Sequence, residues 1–167
     1  MTVRTKLYVG GVLLGIGFGG FIDGIVLHQI LQWHHMLSDH SSYPVTTVAG
    51  LEVNTLWDGI FHSATWTAAL GGLFLTWHAL RGSTAACSTR AFVGLLLLGW
   101  GSFNLVEGTV NHHILGIHHV NETVPEAQWL AWDLGFLAFG ATLATVGATL
   151  ARRPNNQRIT HTEDTPA

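Results

Sequence analysis

Four apolar stretches dominate this sequence, at about 7–36, 51–80, 91–117 and 128–151. Each exceeds the roughly 20 residues that a bilayer-crossing helix requires. Every Lys and Arg lies outside them: Arg4 and Lys6 before the first, Arg81 and Arg90 between the second and third, and Arg152, Arg153 and Arg158 after the fourth. The other two connections, SDHSSYPVTTVAG and VNETVPEA, contain no basic residue. Backbone in hydrocarbon must satisfy its own N–H and C=O groups, so stretches of this kind are helices. The positive-inside rule then puts both termini in the cytoplasm and the two Lys/Arg-free connections outside. The expected fold class is all-α, an integral membrane four-helix bundle over residues 1–151, N-in and C-in. A polar, proline-broken cytoplasmic tail, RRPNNQRITHTEDTPA (152–167), is expected to be disordered.

Composition agrees with one membrane domain: of 167 residues, 48% are hydrophobic and only 10% charged. A net charge of −3 with no basic stripe excludes nucleic acid as a partner. Cys87 is the single cysteine, which rules out an intramolecular disulfide and argues against a Cys-based metal site. The basic amino terminus followed by an apolar run also fits a signal peptide. No small-residue cleavage site follows, however, and Asp23 and His28 interrupt the run, so it reads as a retained helix. Trp33, Trp57, Trp129 and Trp132 fall at the expected outer boundary, where aromatic rings anchor. The ladder Gly11, Gly15 and Gly19 lets a helix backbone approach closely. Its partner is a helix of the same chain, a second copy, or another membrane protein.

Histidine is the compositional anomaly, with 11 residues. DGIVLHQILQWHH, starting at Asp23, has a counterpart in EGTVNHHILGIHH, starting at Glu107. Asp23, His28, His34 and His35 recur as Glu107, His112, His118 and His119, each 84 positions on. Trp57, Asp58 and Phe61 recur as Trp132, Asp133 and Phe136. Each half is thus two helices in the same orientation, a parallel repeat with a pseudo-twofold axis along the membrane normal.

As α-helices at about 100° and 1.5 Å per residue, His28, His35, His112 and His119 share a polar stripe with the carboxylates. His28, His112, Asp58 and Asp133 come to one layer about 9 to 12 Å below the outer surface, with His62 near 16 Å and Asp23 and Glu107 near 20 Å. His34, His35, His118 and His119 are expected at the outer water boundary. Ionisable groups at such depth cost at least about 2.5 kcal/mol each on insertion scales and mark functional sites.

Imidazoles mixed with carboxylates in a helical core suit one or two transition-metal ions, iron, copper or zinc. The candidate ligands are His28, His112, His62, Asp58 and Asp133, with Asp23 and Glu107 as deeper ligands or orienting partners. His35 and His119 are candidates for closing the outer side. Such a centre serves redox chemistry or metal handling. An alternative places His28 and His112 as axial ligands of a b-type haem; covalent haem attachment is excluded because no CxxCH is present. Another makes the Asp, Glu and His groups a proton or ion relay without cofactor, and a purely structural reading makes them a hydrogen-bonded network that holds helix register. No hydrolase, phosphate-loop or dinucleotide motif appears.

The segments GFGGFIDGIVLHQILQWHHMLS, WDGIFH, FNLVEGTVNHHILGIHHVNE and WDLGF resemble the bacterial membrane family known as domain of unknown function 2243. The resemblance covers nearly the whole chain apart from the tail. It implies a small multi-pass protein of the bacterial inner (cytoplasmic) membrane and carries no established activity.

Overall fold

Hydroxyl caps start three of the four long helices. Thr2 accepts from the Thr5 amide at 3.1 Å and opens α1 (Val3–Phe21); Thr47 accepts from Gly50 and opens α2 (Val48–Leu80). Ser88 does the same for α3 (Thr89–Glu107). A 3₁₀ turn, Glu126–Gln128, leads into α4 (Trp129–Ala151). The computed structural model describes residues 1–81 and 88–152. Cys87 and the expected disorder of the tail beyond Arg152 lie outside the described residues.

Small residues set the packing. Gly15 of α1 and Gly99 of α3 face each other so closely that a Cβ on either would meet the other's Cα at 2.9 Å. Gly11 and Gly19 pack against Leu95 and Trp100 of the same helix α3. The Gly11/Gly15/Gly19 ladder is therefore packed against α3 of the same chain, the first of the three partners that the sequence leaves open. Gly10 and Gly17 receive Thr76 and Ala69 of α2, while Gly94 and Gly101 receive Ala151 and Ala144 of α4. α1 and α3 thus lie side by side, with α2 against α1 and α4 against α3. Among the described residues no other pair of long helices comes into close backbone contact, so α1 and α3 form the central pair, with α2 packed on one and α4 on the other.

Burial is inverted relative to a protein in water. Leu14, Ala79, Leu95 and Val120 are the buried hydrophobic side chains, against thirteen buried polar ones, among the described residues. Large apolar residues such as Leu56, Trp66, Phe74, Trp77 and Leu134 point outward, an arrangement suited to lipid rather than water. Val3–Ile30, Thr89–Leu115 and Glu126–Ala151 are long and apolar enough to cross a membrane. The sequence suggests four such helices, but α2, at 33 residues, carries Asn54, Asp58, His62 and Thr65 and falls short in apolarity.

The helices do not run to Met36 and Ile117 as expected. α1 passes into a π-helix at Ile22–Ile30 and α3 into another at Gly108–Leu115. Both then stop, at backbone with positive φ: +49° at Gln32 and +57° at Gly116. Glycine takes that conformation freely, whereas a side chain there costs about 1–2 kcal/mol. Because the exposed Gln32 gains nothing visible from its side chain, Gln32→Gly is expected to raise stability by about 0.5–1 kcal/mol, and Gly116→Ala to lower it by about as much. Unfolding midpoints in detergent check both; a lowered midpoint for Gln32→Gly would contradict the strain assigned to this turn.

Candidate metal centre

Winding decides where the first pair of groups meets. On an α-helix Asp23 and His28, five residues apart, would diverge by about 140°. A π-helix bonds residues five apart, so they stack, with His28 Nε2 3.3 Å from Asp23 Oδ2. Glu107 and His112 are likewise five apart at the second π-helix, with Nε2 to Oε1 at 3.2 Å. Separations of this size are ion-pair distances, and they leave the imidazole and the carboxylate near enough to share one cation.

The other face of each ring is held by a carboxylate from a neighbouring helix. His28 Nδ1 donates to Asp58 Oδ1 at 3.0 Å, and His35 Nδ1 donates to Asp58 Oδ2 at 2.6 Å. Asp58 also accepts from the Met36 amide at 2.9 Å. Asp133 accepts from His119 Nδ1 at 2.6 Å and from the Val120 amide at 3.0 Å. Its Oδ1 stands 3.3 Å from His112 Nδ1, within ion-pair reach but without hydrogen-bond alignment. Phe61 stacks on His28, and Phe136 lies against His112, both at 5.5 Å between centroids.

Beyond the π-helices the chain turns back inward, and this places two histidines that helical extrapolation put at the water boundary. His34 and His118 are 2% and 0% exposed, and their rings stack at 4.6 Å with 6° between planes. Each reaches across to the other half: His34 Nδ1 donates to the Val120 carbonyl at 2.9 Å, and His118 Nδ1 to the Met36 carbonyl at 3.1 Å. Glu107 Oε1 stands 2.8 Å from Nε2 of His118, so this ring is engaged at both nitrogens.

Two groups of three result, Asp23/His28/His34 and Glu107/His112/His118, with the potential ligand atoms in each within 4.8 Å of one another. The Nε2 atoms of His28, His34 and His112 and Oε2 of Glu107 are buried without a hydrogen-bond partner. Buried polar atoms are rarely left so. With Nδ1 of His28 and His34 engaged as donors, each ring in its neutral form presents a lone pair at Nε2, the arrangement of metal-ligating imidazoles backed by a carboxylate or carbonyl.

Of the residues singled out by sequence, Asp23, His28, Glu107 and His112 enter these groups. Asp58 and Asp133 lie behind the rings. His35 and His119 are partly exposed on the outer side, hydrogen-bonded to those same carboxylates. His62 is separate: its Nδ1 donates to the Asp58 backbone carbonyl at 2.7 Å, and its ring packs on Gly24. His34 and His118 are the residues that sequence reasoning left outside the cluster. Gly116, a typical helix-ending position, was the available sign that the second helix stops before its terminal His pair.

A family model described as a predicted membrane protein, DUF2243, matches residues 10–154. No curated protein and no solved structure matches the chain.

The hydrogen bond to Val120 fixes the proton of His34 on Nδ1. Nitrogen NMR of ¹⁵N-histidine-labelled protein, assigned by comparison with His34→Gln, is expected to show a neutral Nδ1–H ring near pH 7. An Nε2–H tautomer would contradict the inward lone pair.

Proposed function

The chain belongs to the DUF2243 family of predicted membrane proteins, and we propose that it is a redox protein holding a dinuclear transition-metal centre. One ion is held by Asp23, His28 and His34, the other by Glu107, His112 and His118. The observation that carries this reading is the pair of three-residue groups, whose imidazole Nε2 atoms are buried and largely unpartnered while hydrogen bonds hold Nδ1 of His28, His34 and His118. Two imidazoles and one carboxylate per ion, with positions left open, is the donor set of non-haem iron(II). Iron bound there supplies one-electron redox chemistry and an open position for a small ligand. Asp58, Asp133, His35 and His119 orient the ligands rather than ligate.

The site is built from two copies of one helical unit. Gly15 meets Gly99, His34 meets His118, and the Asp58 contacts to His28, His35 and Met36 reappear as those of Asp133 to His112, His119 and Val120. A pseudo-twofold axis along the membrane normal relates them. With α2 as the fourth span, the amino terminus, the end of α4 and the described Lys and Arg residues lie on the cytoplasmic side of a bacterial inner membrane, and the metal layer lies in the outer half.

Charge supports a cation here. Asp23, Asp58, Glu107 and Asp133 are all buried, and the described Lys and Arg residues stand at the opposite ends of the helices. The six proposed donors are at most 7% exposed, which favours a resident centre over metal transfer. A haem between His28 and His112 would need the space taken by the stacked His34 and His118. A relay lacks inward continuation, since His78 is exposed on the surface.

Elemental analysis of purified protein is expected to give about two iron per chain without a Soret band. His34→Ala and His118→Ala should each remove at least one equivalent, and His62→Ala none. Asp58→Asn should weaken binding by about 10- to 100-fold. One iron with a Soret band, or metal content indifferent to His28→Ala and His118→Ala, would overturn the assignment.

A further inference from the structure

A cavity of about 420 Å³ lies between the first π-helix, α3 and α4. We propose that it binds a bilayer-dissolved alkylated hydroquinone, with the hydroxylated ring at Asp23 and Asn104 and the tail toward lipid. This deepens the metal-centre reading, on which the ligand's redox meaning rests; the binding itself rests on the cavity.

The cavity walls are aromatic. Trp33 and Trp132 meet edge-on at 5.1 Å, Trp100 and Phe139 at 5.8 Å, and Phe136 also borders the space. Flat aromatic walls favour a flat ring, through stacked and edge-to-face contacts. Two polar groups line the cavity. Asp23 is 4% exposed, and Asn104, 2% exposed, has a buried Oδ1 without a partner. The Asp23 carboxylate and the unpartnered Asn104 amide oxygen accept hydrogen bonds, which suits a ligand that donates, such as a ring hydroxyl, over a bare hydrocarbon. Ile22, Trp132 and Phe139 line the space yet stay 38–48% exposed on the lipid-facing surface, so a ligand enters sideways from the hydrocarbon.

Unequal halves argue that the space is specific. In the repeat register, Phe103 stands where the cavity has Gly19, Ile60 where it has Gly135, and Gly20 where it has Asn104. Phe103 packs on Phe61 at 5.9 Å in that other half. The same helix packing thus accommodates bulk on one side and leaves room, with an unpaired amide oxygen, on the other. A Cβ on Gly135 meets nothing within 4 Å, so this lining position has room for a side chain and Gly135→Ile is the substitution chosen to narrow the cavity.

The test uses full-length protein in phosphatidylcholine nanodiscs, titrated anaerobically with decyl-benzohydroquinone and, in parallel, decylbenzene. Tryptophan quenching is the readout, and metal content is measured on the same samples. Saturable quenching by the hydroquinone at about one equivalent is expected, with decylbenzene giving none. Gly135→Ile should abolish it with metal content unchanged, and Asn104→Leu should weaken it about tenfold. Equal quenching by both probes, or binding unaffected by Gly135→Ile, would overturn the proposal. Metal retained without probe binding defeats only this inference; probe binding retained in protein that takes up no metal defeats only the metal-centre reading.

Discussion

Four buried carboxylates and four buried imidazoles share one layer of this protein with no lysine or arginine among them, and the surrounding structure depends on how that charge is accommodated. Each hydrogen bond made by Nδ1 of His28, His34, His35, His118 and His119 goes to an oxygen that can only accept. The proton is thereby committed on one side of these rings, and for His28 and His34 the opposite nitrogen is left facing its neighbours as a lone pair. A carboxylate beside such a lone pair is repulsive unless a proton or a metal ion stands between. Buried charge of this kind is expensive in hydrocarbon, and a cation bound here would offset it where protein cations are absent.

Helix packing and winding both serve that layer. Glycine contacts between α1 and α3 bring the two central helices close enough for His34 and His118 to stack. The π-helical turns align each carboxylate with the histidine five residues on and then release the chain, so that His34 and His118 fold back toward the other half. The exchange of His34 and His118 across to the Val120 and Met36 carbonyls ties the halves together at the outer end. Neither half holds a complete set of these bonds alone.

Much of this was legible in sequence, for identifiable reasons. Apolar stretches and the distribution of Lys and Arg define helices well because the bilayer leaves the backbone few options. The constant 84-residue offset already paired Asp23 with Glu107 and His28 with His112. What escaped was local winding: extending α-helices through His35 and His119 sent His34 and His118 to the water boundary and spread Asp23 from His28. π-helices have no simple residue signature, and the turn at Gln32 carries a residue that gives no warning of positive φ. The pairing of α1 with α3 escaped too, because the Gly11/Gly15/Gly19 ladder announces a close neighbour without saying which one.

A dinuclear centre in this cage makes a demand that no single-ion, haem or metal-free arrangement meets. X-ray absorption at the iron edge of purified protein tests it most directly. The account predicts a nearest shell of nitrogen and oxygen only, with a second iron about 3.5–4 Å away. An isolated iron with no metal neighbour, or the multiple-scattering pattern of a porphyrin, would contradict it.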